Sequence, residues 1–161
     1  MGRLEWSPEL SLGQPELDDQ HKELIRIANG LINAVSIGRR KRTVENVIRK
    51  LREYTVFHFV REESLMEQIR FPGRADHMAE HVRLKLSVKN YQRKLYEHEH
   101  VRANDVLDFM TEWLLGHILT FDRDFAVYMT ALDETAKAER SESSEVVEAG
   151  NEGVPTTSDN E

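Results

Sequence analysis

Between His58 and His81 the chain reads HFVREESLMEQIRFPGRADHMAEH, and this stretch constrains the fold more than any other. It carries two pairs of potential metal ligands at four-residue spacing, His58 with Glu62 and His77 with His81. Residues four apart lie on one face of an α-helix, so each pair can present two donors in one direction. Phe71-Pro72-Gly73 lies between the pairs. Such a sequence interrupts a helix and turns the chain back on itself. The expected unit is a helical hairpin with four donors facing inward. The rest of the chain must supply the other walls and the remaining ligands.

Composition agrees with such a bundle. The 161 residues suit one domain, and 39% hydrophobic with 32% charged residues fits amphipathic helices. Cysteine is absent. That excludes disulfides, iron–sulfur clusters and thiolate zinc sites, and leaves histidine and carboxylate as the strong metal ligands. No apolar run is long enough to span a membrane. The opening MGRLEWSPEL lacks the apolar core of a signal peptide, so a cytoplasmic protein with no membrane partner is expected.

Charge is unevenly spread. From Ala136 onward, Lys137 and Arg140 face seven acidic residues, so most of the net charge of -7 sits at that end. The near-neutral body offers no electrostatic footprint for nucleic acid. Arg39-Arg40-Lys41-Arg42 is a short basic run that reads as a solvated turn, with anion binding the alternative.

Four amphipathic helices are expected after an arm of residues 1–14, which Trp6 and Leu10 should pack onto the bundle. Helix 1 should span about Glu16–Ile37, with Leu17, His21, Leu24, Ala28, Leu31 and Val35 along one seam. Helix 2 should span about Thr43–Ile69, with Val44, Ile48, Leu51, Thr55, His58, Glu62, Leu65 and Ile69. Helix 3 should span about Arg74–Tyr96, with His77, His81, Leu84, Val88, Tyr91 and Leu95. Helix 4 should span about Ala103–Leu132, with Val106, Met110, Trp113, His117 and Phe121. Alternating steps of three and four place each seam against neighbouring helices. The expected fold is all-α, an up-down-up-down antiparallel four-helix bundle over residues 1–135, followed by a disordered acidic tail over residues 136–161.

Five of the seven histidines share these seams with Glu62. Burying so many ionisable groups without partners is costly. Register supports their convergence. Residues equidistant from a turn lie at one height in an antiparallel pair. The point midway between His21 and His58 falls in the expected Gly38–Arg42 turn. The point midway between the His58/Glu62 and His77/His81 pairs falls beside Phe71-Pro72-Gly73. The third midpoint, between His77/His81 and His117, falls at the last expected turn. Asp122 is different. Five residues beyond His117, it lies about 140° off that face of an ideal helix. It joins the same layer only through a distortion such as a π-bulge, and periodicity alone leaves it competing with Asp124.

The chain resembles the hemerythrin family in its bacterial single-domain form, over roughly residues 4–130. Trp6, Gly13 and LDDQHKEL (17–24) resemble the opening motif. His58-Phe59-Val60-Arg61-Glu62-Glu63 matches HFxxEE, His77 and His81 match HxxxH, and Trp113 to Asp122 matches WLxxHIxxxD. The resemblance implies a non-haem centre of two iron ions with an oxo or hydroxo bridge, binding O₂ reversibly. His77, His81 and His117 would hold one iron, and His21 and His58 the other. Glu62 and Asp122 would bridge them. Two octahedral irons need twelve ligand positions and this set fills eleven. One position is left for O₂ on the two-histidine iron. Leu24, Phe59, Trp113, Leu114 and Ile118 match the family's O₂-pocket positions. A dry pocket of this kind protects the irons from solvent.

O₂ storage, delivery or scavenging by a monomer that is not an enzyme is therefore the leading expectation. The alternatives are an O₂ or redox sensor acting through a protein partner on the acidic tail, and a di-iron peroxidase, oxidase or nitric-oxide-handling protein. Glu97, His98, Glu99 and His100 read as a solvated turn. Asp18 and Gln20 flank His21 as candidates to support it, with helix capping the simpler role for Asp18.

Overall fold

The computed structural model describes residues 2–97 and 100–149. The chain divides into two units, residues 1–127 and 128–161. The first is an antiparallel four-helix bundle with an N-terminal arm. Its helices are α1 (Pro15–Ser36), α2 (Lys41–Gln68), α3 (Arg74–Glu97) and a composite fourth helix. That fourth helix starts as α4 (Ala103–Met110), passes through π-helical turns at Thr111–Leu115 and Ile118–Asp122, and continues as α5 (Arg123–Ala149). No helix among the described residues is long and apolar enough to cross a membrane.

The expected seams form the core. Leu24, Ala28 and Leu31 of α1, Ile48 and Leu51 of α2, Leu84 and Val88 of α3, and Val106, Met110 and Trp113 of the fourth helix are all buried in one cluster. Each such side chain contributes roughly 1.5–3 kcal/mol when withdrawn from water. On α2 the expected seam fails beyond Glu62: Leu65 and Ile69 are only half-buried, and the buried residue there is Met66.

Both hairpin turns close with the same backbone device. At the end of α1, the Gly38 N–H donates to the Val35 carbonyl (3.1 Å) and the Arg39 N–H to that of Ala34 (2.9 Å). At the end of α2, the Arg70 N–H donates to Glu67 (3.2 Å) and the Phe71 N–H to Met66 (2.9 Å). This motif needs a left-handed residue after the cap. Gly38 takes it freely at φ 62°, whereas Arg70 takes it at φ 54° with a side chain to accommodate. The run Arg39–Arg42 is exposed, as a solvated turn should be.

The arm is tied down by side chains of the bundle. Asn29 exchanges hydrogen bonds with the backbone of Leu4 (2.8 and 2.9 Å). Arg123 donates to the carbonyls of Ser11 (3.1 Å) and Glu9. Leu10 is buried and Trp6 packs against the core.

The disorder expected from Ala136 does not hold over residues 136–149, which are helical. Acidity suggested disorder, but no glycine or proline occurs between Gly116 and Gly150, and Ala, Glu, Lys and Arg are good helix formers. Residues 150–161 lie outside the described residues, as do His98 and Glu99 of the expected polar turn; Glu97 ends α3, and His100 is exposed.

Candidate metal centre

Seven buried side chains meet in one layer across the bundle: His21 from α1, His58 and Glu62 from α2, His77 and His81 from α3, and His117 and Asp122 from the fourth helix. They form two overlapping groups. One is Glu62, His77, His81, His117 and Asp122; the other is His21, His58, Glu62 and Asp122. Only the two carboxylates belong to both. Asp124, the competitor of Asp122, is exposed.

Asp122 reaches the layer because the helix changes pitch. Ile118–Asp122 is a π-turn, in which hydrogen bonds span five residues rather than four. His117 and Asp122, five apart, therefore come onto one face. The Thr120 hydroxyl donates to the Gly116 carbonyl (2.7 Å), and that of Thr111 to the Leu107 carbonyl (2.8 Å). Such bonds compete with the helical ladder and bend it.

Each carboxylate divides its two oxygens between the groups. Glu62 Oε1 faces Nε2 of His58 (3.5 Å) and His21 (3.9 Å), while Oε2 faces Nε2 of His81 (3.2 Å) and His77 (3.7 Å). Asp122 Oδ2 faces His21 Nε2 (3.1 Å), while Oδ1 faces Nε2 of His117 (2.9 Å) and His77 (3.0 Å). The Nε2 atoms of His21 and His58 are 3.0 Å apart. Adjacent donors on an octahedral ion with bonds of roughly 2.1 Å are themselves roughly 3 Å apart. The shorter of these separations match the edges of such a coordination shell.

Protonation points the same way. His58 Nδ1 donates to Gln20 Oε1 and His81 Nδ1 to Glu63 Oε1, both at 2.8 Å. With their protons on Nδ1, both rings turn a bare Nε2 lone pair toward Glu62. Burial, reinforced by neighbouring histidines, keeps the two rings neutral: His58 lies well below the usual histidine range and His81 is pushed down to about 2. Burial and the nearby Asp122 carboxylate drive Glu62 well above the usual carboxylate range. Burial also acts to raise Asp122, but His117, His21 and His77 overcome it and hold that group low. Both oxygens of Glu62 and of Asp122, and Nε2 of His77, His81 and His117, are buried without a hydrogen-bond partner. Leaving buried polar groups unpartnered costs about 1–3 kcal/mol each, and more for a charged one such as Asp122. A cation between the lone pairs removes that cost, and five imidazoles with two carboxylates suit a transition metal better than Mg²⁺ or Ca²⁺.

Aromatic rings wall the layer. Phe59 stacks on His81 with centroids 3.7 Å apart, and Phe121 stacks on His117 at 5.8 Å. Phe125 meets His77 edge-on at 6.2 Å. Leu24, Phe59, Trp113, Leu114 and Ile118 are all buried in the core. The Trp113 indole N–H donates to the Leu84 carbonyl (3.0 Å).

The family described as the hemerythrin HHE cation binding domain matches residues 12–128. The chain belongs to the hemerythrin family. It is 29% identical over 125 residues to a bacteriohemerythrin of Clostridium acetobutylicum, covering 74% of this chain and 96% of the relative. It is 30% identical over 114 residues to a bacteriohemerythrin of Methylococcus capsulatus, covering 71% and 86%. A solved structure of a hemerythrin point mutant superposes with TM-score 0.69 at 27% identity, covering 78% of this chain and 96% of that one.

Three residues near the layer take roles that differ from, or were missing in, the expectations from the sequence. Gln20 supports His58 rather than its neighbour His21. Asp18 accepts from the Leu12 N–H (2.8 Å) and the Ser11 hydroxyl (2.6 Å), fastening the arm. Glu63 supports His81, and the only signal for it was its place in the HFVREE run.

Proposed function

We propose that this protein binds O₂ reversibly at a non-haem di-iron centre, for oxygen storage, delivery or scavenging. The observation that carries this reading is the division of both Glu62 and Asp122 between two histidine groups, the arrangement a bridged metal pair requires. His77, His81 and His117 would hold one iron, His21 and His58 the other, and Glu62 and Asp122 would bridge them. An iron pair bound here would supply two electrons and an open coordination position for O₂.

The chain's own contribution is a dry setting. Leu24, Phe59, Leu114 and Ile118 offer no proton to a bound ligand, and Trp113 spends its N–H on Leu84. Withholding solvent and proton donors favours release of O₂ over irreversible oxidation. The absence of an acid or base from this apolar set supports a binding protein over an oxidase or peroxidase.

The test is O₂ uptake by the reduced, iron-loaded protein in a closed cell, followed by release under vacuum. The proposal expects one O₂ taken up per iron pair and recovered on release. Uptake without recovery, accompanied by permanently oxidised iron, would overturn it in favour of a redox enzyme or sensor.

A further inference from the structure

The two histidine groups are not supported alike. On the His21/His58 side, His58 Nδ1–H donates to the neutral amide oxygen of Gln20. That amide is oriented in turn, since its NH₂ approaches Glu16 Oε1 at 3.5 Å and Arg61 donates twice to the Glu16 carboxylate (2.5 and 2.9 Å). On the His77/His81/His117 side, His81 Nδ1–H donates to the carboxylate of Glu63 at the same 2.8 Å. Phe59 stacked on His81 leaves that ring little freedom to turn away. The Nδ1 atoms of His21, His77 and His117 have no hydrogen-bond partner. Each group thus contains one histidine with an outer acceptor, and the two acceptors differ by a full charge.

We propose that Glu63 is a positioning and tuning residue. It fixes His81 with Nε2 free for a metal, and it makes the three-histidine site the more electron-rich of the two. A carboxylate on the outer N–H raises the basicity of a ligating imidazole. Its charge, in a half-buried setting, also favours the higher oxidation state of a nearby metal. Gln20 fixes the tautomer of His58 without adding charge. The three-histidine metal is therefore the first of the pair to be oxidised. The inference rests on the di-iron reading and adds an internal redox asymmetry to it.

The experiment uses the full chain loaded with iron, comparing wild type with Glu63→Gln, Glu63→Ala and Gln20→Glu. Iron per chain, melting temperature and midpoint potential are read for each, and Mössbauer spectra identify which iron is oxidised in the half-oxidised state. Glu63→Gln keeps an acceptor and loses the charge, so iron content and melting temperature stay at wild-type values while the midpoint potential rises. Gln20→Glu lowers the potential. Glu63→Ala loses the bond itself and weakens iron binding about 10- to 100-fold. A wild-type potential in Glu63→Gln, or shifts of one sign in both charge-changing variants, overturns the proposal. If Glu63→Gln does not load, Gln20→Glu decides alone, and an unmoved potential there is fatal. A wild-type chain that holds no iron pair brings down the di-iron reading itself. A wild-type pair with potentials indifferent to Glu63 brings down only this inference.

Discussion

The second and fourth helices deliver the same two candidate ligand types, a histidine and a carboxylate, by different means. On α2, His58 and Glu62 are four residues apart and meet through ordinary helical geometry. On the fourth helix, His117 and Asp122 are five apart and meet only because Ile118–Asp122 is a π-turn. The carboxylate lengths differ as well, Glu on the regular helix and Asp on the distorted one. The difference teaches that a layer of converging donors can be built without uniform spacing, provided the backbone locally absorbs the extra residue. It also locates the fragile part of the site. On α2 the two donors need only regular helical geometry, whereas on the fourth helix they depend on one irregular turn.

The sharpest way to break this comparison is to insert an alanine after Thr120. Asp122 then becomes the sixth residue after His117, one more than the π-turn absorbs. Everything beyond is then rotated by about 100° relative to the rest of the bundle. The expected outcome is loss of the iron pair, read as iron per chain. Retention of both irons would show that the spacing of Asp122 from His117 is not what places it in the layer.

A gentler change alters what surrounds the ligands. Replacing the buried Ile118 with Ser, or Trp113 with Gln, puts a polar group where the pocket is apolar. Build-up of oxidised iron in air should become several-fold faster, followed by absorbance after mixing with O₂. Wild-type oxidation rates in both variants would mean that these residues are only core.

A pH series on the metal-free protein probes both helices together. His58 and His81 have folded-state values far below 6.5, so between 4.5 and 6.5 the unfolded chain takes up two protons there that the folded one does not. Glu62 has the opposite sign, because its folded value lies well above 4.5 and the folded chain holds its proton. The net effect is one more proton on the unfolded chain. Stability from these groups is present above pH 6.5 and falls as pH drops through this window. The melting temperature should decline on acidification, and a rise would contradict the neutral-histidine account.

The smallest effects come from the helix ends and hydroxyls. Thr120→Val removes the hydroxyl bond to Gly116 and should change stability by about 0.5–1.5 kcal/mol. Arg70→Gly relieves a left-handed side-chain position at the end of α2 and should stabilise by up to about 1 kcal/mol. Thermal melts report both, and an Arg70→Gly protein that melts lower would count against strain at that turn.

Much of this architecture was legible in the sequence because the seams repeat regularly. The candidate ligands His21, His58, Glu62, His77, His81 and His117 stand at positions that otherwise carry apolar residues, and the turns between them fall at the midpoints of the candidate pairs. Asp122 was not legible from periodicity, since a single π-turn leaves no trace in the hydrophobic pattern; family resemblance distinguished it from Asp124. Gln20 and Glu63 stand one residue off the seams, and each meets a histidine on another helix, 38 and 18 residues away in the chain. Nothing local marks such a pairing. The helical stretch to Ala149 was hidden by its acidity, although its residues are good helix formers.

The central claim is that these seven residues hold one bridged pair of irons. Mössbauer spectroscopy on protein reconstituted with ⁵⁷Fe, with iron counted per chain, tests it most directly. The account predicts two irons per chain, magnetically coupled to each other in the oxidised state through their shared bridges. One iron per chain, or two that are magnetically independent, would contradict it.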